Sequence, residues 1–263
     1  MSPAPAALRG VRGLLLDLDG TLYDPDGPIP GAAEAVVRLR AAGLALRYVT
    51  NTTRQPRAAL VERLGRLGLP SAADEIFTAP RAAVAWLEAH AVRRVALHVA
   101  AAAAGEFGRF RIDDVGPEAV VVGDLGPAWT FERLNRAFRQ LGDRATLLAI
   151  QKNRHWRSPE GLVLDAGPFV AALEYASGRS AVTVGKPSAA FLEAAAAGLG
   201  LPLADVALVG DDVVSDVGGA LAAGARGVLV RTGKFRPGDV EAAGVRPTAV
   251  IDSVAALPGL LGL

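Results

Sequence analysis

The stretch GLLLDLDGTLYD, residues 13–24, carries an apolar run directly into two carboxylates. Asp17 ends the run, and Asp19 follows two residues later, before Gly20 and Thr21. Two neighbouring acids at the end of a buried strand are costly, because like charges repel and burial removes their hydration. An ordinary Asp-Gly turn would also fit this pattern. The stretch therefore indicates a functional site only if the rest of the chain supplies partners for the acids.

Composition limits the class of protein. The chain has 263 residues, of which 51% are hydrophobic and 21% charged, as expected for a soluble globular protein of one large or two modest domains. The 28 basic and 27 acidic residues leave a net charge of +1, which is not typical of a nucleic-acid or membrane-surface binder. The absence of cysteine excludes disulfides, thiolate catalysis and sulfur-ligated metals.

Targeting signals are not evident. The first ten residues lack a signal-peptide core, and the longest apolar run, near residues 95–105, is too short to cross a bilayer. We therefore expect a cytoplasmic protein that binds neither nucleic acid nor membrane.

Continuous apolar runs alternate with segments of helical periodicity. The runs that we predict as strands are residues 13–18, 44–50, 181–185, 206–211 and 227–232. Such runs are typical of strands buried on both faces of a parallel sheet. The helical segments carry recognisable ends, such as Pro30 near the start of one and Gly43 at its end. This alternation predicts an α/β fold with a doubly wound, Rossmann-like parallel sheet.

The middle of the chain has a strand and helix pattern of its own. Its predicted strands are residues 95–99, 119–125, 146–151 and 161–165, and its predicted helices are 82–90, 130–142 and 168–178. No low-complexity linker separates it from the flanking segments. We therefore predict that residues 1–79 and 181–263 form one domain, into which an α/β domain of residues 80–180 is inserted.

Polar residues follow four of the predicted strands. They are Asp17 and Asp19 after the first, Thr50, Asn51 and Thr52 in YVTNTT, Lys186 in GKPS, and Asp211, Asp212 and Asp216 in GDDVVSD. Each alone fits a turn, a helix cap or a surface position. Ligands of open α/β sheets bind at the carboxyl ends of the strands, so the four groups in this order indicate one polar site. Lys186 is also one of only three lysines in an arginine-rich chain.

These four motifs, DLDGT, TNTT, GKPS and GDDVVSD, resemble those of the haloacid dehalogenase superfamily of phosphohydrolases. About 29 residues separate Thr21 from Thr50, too few for a folded cap, whereas about 134 separate Thr52 from Lys186. The longer interval is similar to that of the subclass IIA members, which carry a large α/β cap there. The resemblance covers essentially the whole chain and implies a catalytic core with a cap over residues 80–180.

The resemblance also implies roles for the acids. Asp17 is the expected nucleophile, which forms an aspartyl-phosphate, and Asp19 is the expected general acid and then base. Mg²⁺ is the expected cofactor, held by the carboxylates of Asp17 and Asp211 and by the backbone carbonyl of Asp19. The chain has no cysteine, and its three histidines are scattered along the sequence, which argues against a zinc site.

Further residues are expected to bind phosphate or to support the metal. The phosphate donors that the resemblance implies are Thr50, Asn51, Thr52 and Lys186, which would stabilise charge on the transferring oxygens. Either Asp212 or Asp216 would steady metal-bound water or Lys186, and the sequence leaves open which of them does so. Lys234, in RTGKFRP, is interpreted as a residue of a solvated loop.

Substrate selection would fall to the cap, in the loop between the predicted strands of residues 146–151 and 161–165. Its candidate residues are Asn153, Arg154, His155, Trp156 and Arg157, among which Trp156 and Arg157 are favoured. A polar connection between strands with one packed tryptophan is an equally good interpretation.

The sequence thus predicts a phosphatase that acts on a small phosphorylated substrate. A phosphatase for pyrophosphate or for phospholysine and phosphohistidine is the alternative enzyme. A weakly active binding or regulatory protein on the same fold is a further alternative, against which the intact motif residues argue. A dehalogenase would have no use for Asp19. The resemblance is compatible with a homodimer, which no stripe in the sequence requires.

Overall fold

The computed structural model describes residues 8–69, 71–158 and 160–263, apart from the side chains of residues 157 and 158. Its strands are β1 (Gly13–Asp17), β2 (Tyr23–Asp24), β3 (Gly27–Pro28), β4 (Ala45–Thr50), β5 (Ile76–Thr78), β6 (Arg94–His98), β7 (Arg111–Ile112), β8 (Ala119–Val122), β9 (Thr146–Ala149), β10 (His155–Ser158), β11 (Gly161–Leu164), β12 (Val182–Thr183), β13 (Val206–Gly210), β14 (Arg226–Val230) and β15 (Ala249–Ile251). Its α-helices are α1 (Ala32–Ala41), α2 (Arg57–Arg66), α3 (Ala79–Ala89), α4 (Ala101–Ala104), α5 (Phe131–Leu141), α6 (Ala166–Ser177), α7 (Ala189–Ala197), α8 (Gly219–Ala222), α9 (Asp239–Ala243) and α10 (Leu257–Leu260).

The described residues form two compact units. Unit 1 comprises the described residues up to Thr50, together with Arg57–Phe77 and Lys186–Leu263. Unit 2 comprises Asn51–Pro56 and Thr78–Gly185. The assignment of residues 1–79 and 181–263 to a catalytic domain and of 80–180 to a cap stays a prediction. None of the helices in the described residues has the length and hydropathy that a membrane span requires.

Unit 1 is built on a sheet with the strand order β15-β14-β13-β1-β4-β5. The first five of these strands pair in parallel, and β1 lies between β13 and β4. Every residue of β1 is buried, because its run of leucines packs on both faces of the sheet. Leu14 and Leu16 belong to a core cluster that also contains Val36 and Leu39 of α1.

Unit 2 is built on a second parallel sheet, with the strand order β12-β9-β8-β6-β7. Its core contains Trp129, Leu147 and Val170. Strands β10 and β11 form a separate antiparallel hairpin. Thr130 caps α5 by accepting a hydrogen bond from the backbone N–H of Arg133. The two parallel sheets confirm the predicted α/β class.

One predicted strand belongs to a different sheet than expected. The sequence predicts the apolar run of residues 181–185 in the same domain as residues 1–79, but its strand, β12, pairs with β9 in unit 2. An apolar run does not specify which of two parallel sheets a strand joins, and β12 is a half-buried strand at the edge of its sheet. Unit 1 completes its sheet instead with β5 and β15, which the sequence pattern did not predict. Both are three-residue strands, too short to show a periodicity.

Candidate active site

The strand register in the sheet of unit 1 brings three predicted site residues to one edge. Asp17, the last residue of β1, pairs with Val49, so Thr50 lies one residue further along β4. Leu16 pairs with Val209 of β13, which places Asp211 just beyond the end of that strand. The strand order β13-β1-β4 therefore delivers Asp17, Thr50 and Asp211 to the carboxyl edge of the sheet, and all three are buried.

Lys186 reaches this edge by another route, as the first residue of the final segment of unit 1. Two residues later Ser188 caps α7, since its hydroxyl accepts a hydrogen bond from the Phe191 N–H at 3.2 Å. Phe191 is buried and meets Phe77 edge to face, with 5.1 Å between ring centroids. The helix cap at Ser188 and the ring contact of Phe191 fix the start of α7. They thereby also fix the backbone that carries Lys186.

The ammonium of Lys186 lies between two carboxylates. Its Nζ donates to Asp17 Oδ1 at 2.5 Å and to Asp216 Oδ1 at 2.7 Å. Lys186 is only 5% exposed, and Asp216 only 1%. Although burial alone would lower the pKa of Lys186, the charges of Asp17 and Asp216 outweigh it, so that the pKa is raised and the side chain stays charged.

The two acids that the sequence could not distinguish have different surroundings. Asp212 precedes a π-helix, Val213–Gly218, and its Oδ1 accepts hydrogen bonds from the backbone N–H groups of Val214 and Ser215. Asp216 lies within that π-helix, with Oδ1 on Lys186 and Oδ2 on the backbone N–H of Asp212. Asp212 is therefore a helix-capping residue, and Asp216 is the partner of Lys186.

The two oxygens of Asp211 are also unequal. Oδ2 accepts the backbone N–H of Lys234 at 2.7 Å, whereas Oδ1 is buried and has no hydrogen-bond partner among the described residues. Carboxylate oxygens of Asp17, Asp211 and Asp216 lie within 4.8 Å of one another. Asp211 also lines an open cleft of about 370 Å³, together with Asp212 and Lys234.

The buried cluster carries more negative than positive charge. Three carboxylates, those of Asp17, Asp211 and Asp216, face one ammonium. Burial is the largest influence on each acid: it raises the pKa of Asp17, and it raises the pKa values of Asp211 and Asp216 to about 6. An additional cation would compensate this charge and keep the carboxylates ionised.

Comparison with known proteins gives the family. A model described as haloacid dehalogenase-like hydrolase matches residues 14–108, and one described as HAD-hydrolase-like matches residues 183–257. Human haloacid dehalogenase-like hydrolase domain-containing protein 2 is 44% identical over 236 residues, which are 90% of either chain. The chain belongs to the haloacid dehalogenase-like hydrolase family.

Two further relatives are phosphatases by name. Human phospholysine phosphohistidine inorganic pyrophosphate phosphatase is 38% identical over 99% of this chain and 98% of its own. The structure of p-nitrophenyl phosphatase from Archaeoglobus fulgidus is 30% identical, with a TM-score of 0.88 over 95% of this chain and 98% of that one. The chain is thus a phosphohydrolase of the haloacid dehalogenase type, subclass IIA.

The structure of this haloacid dehalogenase-like phosphatase brings together Asp17, Lys186, Asp211 and Asp216, with Thr50 at the same sheet edge. Asp19 lies in the turn after β1, with an exposed side chain. There the carbonyl of Leu18 accepts backbone hydrogen bonds from three following residues, Thr21, Leu22 and Tyr23. Asn51 and Thr52 are half-buried residues of unit 2.

The acids of this haloacid dehalogenase-like site fit a hard divalent cation. The buried Oδ1 of Asp211, which no described residue hydrogen-bonds, is a carboxylate oxygen in need of a positive partner. Asp216 is less suited as a direct ligand, because both of its oxygens already accept hydrogen bonds. Asp17 and Asp211 are thus the carboxylates best placed to hold a metal ion.

Within unit 2 of the phosphatase, the predicted selection residues differ in their surroundings. Asn153, Arg154 and His155 are exposed, and the side chain of Arg157 lies outside the described part of the chain. Trp156 is half-buried, and the guanidinium carbon of Arg54 lies 4.4 Å from the centroid of its ring.

Arg54 itself was not predicted from the sequence. Its Nε donates to Asp124 Oδ2 at 2.7 Å, its Nη2 forms an ion pair with the same oxygen at 2.6 Å, and Asp124 is only 4% exposed. The other oxygen of Asp124 accepts the backbone N–H of Gly126. The only sequence signal for Arg54 is its position directly after TNTT.

Proposed function

We propose that this phosphatase uses Mg²⁺ to hydrolyse a small phosphomonoester through an aspartyl-phosphate on Asp17. The observation that carries the proposal is the placement of Lys186 between Asp17 and Asp216, in a cluster where one Asp211 oxygen has no hydrogen-bond partner among the described residues. A buried carboxylate held by one ammonium suits a nucleophile that must be oriented and kept ionised.

In the first step, a carboxylate oxygen of Asp17 attacks the phosphorus atom, and the bond from phosphorus to the leaving-group oxygen breaks. Asp19 donates a proton to that oxygen. In the second step, Asp19 takes a proton from water, which attacks the phosphorus atom and releases phosphate and the free Asp17 carboxylate. The exposure of Asp19, in contrast to the burial of Asp17, supports this division of roles, because Asp19 must meet both leaving group and water.

Lys186 remains beside the attacking carboxylate throughout both steps. Its fixed ammonium would stabilise the charge that the transferring phosphoryl oxygens carry. Asp216 orients Lys186 from the opposite side. Thr50, at the end of β4, is the proposed second donor to phosphate, and Asn51 and Thr52 are proposed to contribute because they complete the family's TNTT motif.

The Asp17 and Asp211 carboxylates and the backbone carbonyl of Asp19 are the groups that would hold Mg²⁺. When bound, the cation supplies charge neutralisation for the phosphoryl group and keeps the neighbouring carboxylates ionised. Asp212, the residue that caps the π-helix, is not needed as a ligand.

The substrate is proposed to be a small organic phosphate ester. Pyrophosphate, phospholysine and phosphohistidine form a second candidate class, because a relative that is named for these compounds matches 99% of the chain. Trp156 and Arg157 remain the proposed selection residues.

A phosphate-release assay tests the chemistry. The purified protein would be incubated with p-nitrophenyl phosphate, pyrophosphate, and a panel of sugar, nucleotide and amino-acid phosphates, with Mg²⁺ and with a chelator. We expect release that requires both Mg²⁺ and Asp17, so that Asp17→Asn is inactive. Asp24→Asn is the control, because the Asp24 carboxylate accepts the backbone N–H groups of Asp26 and Gly27 in its own turn. Release that survives in Asp17→Asn would refute the assignment, and no release at all would favour the binding-protein alternative.

The covalent step has a separate test. Asp19→Asn removes the base of the second step, so mixing this variant with p-nitrophenyl phosphate, which has a good leaving group, should let phosphoenzyme accumulate. Intact-mass measurement after acid quenching should find one added phosphoryl group, and peptide mapping should locate it on Asp17. No adduct in a variant that still releases one equivalent of nitrophenol, or an adduct elsewhere, would overturn the mechanism.

A further inference from the structure

The segment that follows β14 lies directly against Asp211. The Lys234 N–H donates to Asp211 Oδ2 at 2.7 Å, while Oδ1 has no hydrogen-bond partner among the described residues. The Lys234 side chain points elsewhere, since it is 70% exposed and its Nζ lies 3.5 Å from Asp212 Oδ2. The interpretation of Lys234 as a solvated residue therefore holds for its side chain, but its backbone bonds a buried acid.

Two glycines approach the same carboxylate. Gly20 has a φ of 81° and Gly233 a φ of 62°, a region that favours glycine. A Cβ at either position would overlap the Asp211 carboxylate. A Cβ on Gly233 would also come within 2.5 Å of the Gly20 Cα. The two backbones thus enclose Asp211 so closely that neither can carry a side chain.

A third contact joins the two backbones. Thr232 Oγ1 donates to the backbone carbonyl of Gly20 at 2.5 Å. Strand β13, after which Asp211 lies, runs between β1 and β14 in the sheet. The turns that leave the two flanking strands therefore meet over the end of the middle strand, and the Thr232 hydroxyl connects them.

From these contacts we infer that Gly20, Thr232, Gly233 and the Lys234 N–H form a clamp that orients Asp211. This Asp211 clamp fixes Oδ2, so that Oδ1 is the oxygen left to face the metal ion. Its members are positioning residues, because they act on the cation through Asp211. The inference rests on the proposed function, in which Asp211 is a ligand of Mg²⁺.

Mg²⁺ binding, measured by isothermal titration calorimetry without substrate, tests the clamp. Gly233→Ala should weaken Mg²⁺ binding by about 10- to 100-fold, as expected for the loss of support around a ligand. Thr232→Val, which removes only the hydrogen bond, should weaken it by about three- to tenfold. Thr232→Ser keeps the hydroxyl and should bind nearly as the wild type does. At saturating Mg²⁺, kcat for p-nitrophenyl phosphate should recover in Thr232→Val.

Gly244→Ala is the matched control for backbone strain. Gly244 has a φ of 63°, nearly that of Gly233, but a Cβ there would meet nothing within 4 Å. This variant should share the strain of Gly233→Ala and bind Mg²⁺ normally. If Gly233→Ala fails to fold, the comparison of Thr232→Val with Thr232→Ser decides the question.

Asp211→Asn separates failure of the clamp from failure of the metal site. Loss of binding in Asp211→Asn, combined with wild-type affinity in Gly233→Ala and Thr232→Val, would overturn the clamp and leave the proposed function intact. Wild-type affinity in Asp211→Asn would overturn the proposed metal site, and the clamp with it.

Discussion

The ammonium of Lys186 lies 2.5 Å from a carboxylate oxygen of Asp17, and both side chains are less than a tenth exposed. The two residues are 169 positions apart in the sequence. They meet because β1 ends on Asp17 and because the segment leading into α7 carries Lys186 to the same edge. The ammonium also bonds Asp216. The position between the two carboxylates therefore suits a compact cationic side chain better than a larger one.

Lys186→Arg should therefore lose most of its activity. The planar guanidinium cannot occupy the point between Asp17 and Asp216 without displacing one of them. We expect kcat for p-nitrophenyl phosphate to fall by at least about 100-fold, the scale for losing one donor to developing charge. Lys152→Arg is the control, because Lys152 is an exposed lysine paired with Glu174. Near-normal turnover in Lys186→Arg would contradict the assigned role.

Asp211 and Asp212 should respond differently to Mg²⁺, although they are neighbours. A ligand that binds only the folded state raises stability, by about 2.7 kcal/mol at 100 times its Kd. Thermal unfolding of the wild type should shift upwards with added Mg²⁺, and the shift should disappear in Asp211→Asn. Asp212→Ala should lose about 1 kcal/mol through the missing helix cap and keep the shift. A shift that persists in Asp211→Asn and disappears in Asp212→Ala would identify Asp212, and not Asp211, as the metal ligand.

Replacement of Arg54 should destabilise unit 2. Arg54→Leu leaves the buried carboxylate of Asp124 without its guanidinium, which we expect to cost about 1–3 kcal/mol in urea unfolding. Arg54→Lys should cost less, since one charged hydrogen bond can persist. Arg66→Leu is the control, because its pair with Glu62 is exposed and should contribute less than about 1 kcal/mol. Equal losses in Arg54→Leu and Arg66→Leu would exclude a special role for the Asp124 contact.

His98 should make the stability of unit 2 dependent on pH. Its ring is buried, with Nε2 2.7 Å from Gln140 Oε1 and with Nδ1 unpartnered in the described structure. Burial, together with the charges of Arg133 and Arg136, lowers the pKa of His98, against the opposing effects of Gln140 and Asp114. The folded protein thus binds this proton less readily than the unfolded chain does. The contribution of neutral His98 to the free energy of unfolding is therefore complete above pH 6.5, the ordinary pKa of histidine. It is lost as the pH falls through the pKa of His98 in the folded protein.

Urea unfolding at several pH values between 8 and 5 would measure this effect. His98→Gln keeps a donor towards Gln140 and removes the titrating ring, so its stability should fall less than that of the wild type below pH 6.5. His155→Gln, at an exposed position, should follow the wild type. Parallel curves for the wild type and His98→Gln would contradict the prediction.

The elements on which the candidate site is built are predictable from the sequence, because long patterns specify them. The leucine run before Asp17 and the apolar run before Asp211 predicted β1 and β13 correctly. The sheet that takes the run before Lys186 is not predictable, since hydrophobicity does not indicate which of two parallel sheets a strand joins.

The contacts that distinguish neighbouring residues were not predictable. Asp212 and Asp216 have the same side chain, and their positions relative to the π-helix, Asp212 before it and Asp216 within it, determine which one caps and which one meets Lys186. The role of Lys234 depends on a backbone N–H, which every residue except proline possesses. The Thr-Gly pair that precedes it was a usable signal for a tight turn.

The assignment of Asn51–Pro56 to unit 2 has a consequence for exchanging modules between members of this family. A recombinant fragment of residues 78–185 would contain Asp124 and Trp156 but not Arg54. If that fragment replaced the corresponding part of a relative, Asp124 would face whichever residue the relative has in place of Arg54. Chimeras should therefore transfer two pieces of chain together, with junctions after Thr50, Pro56, Phe77 and Gly185. The short first piece also carries Asn51 and Thr52, so an exchange of unit 2 would replace part of the TNTT motif as well.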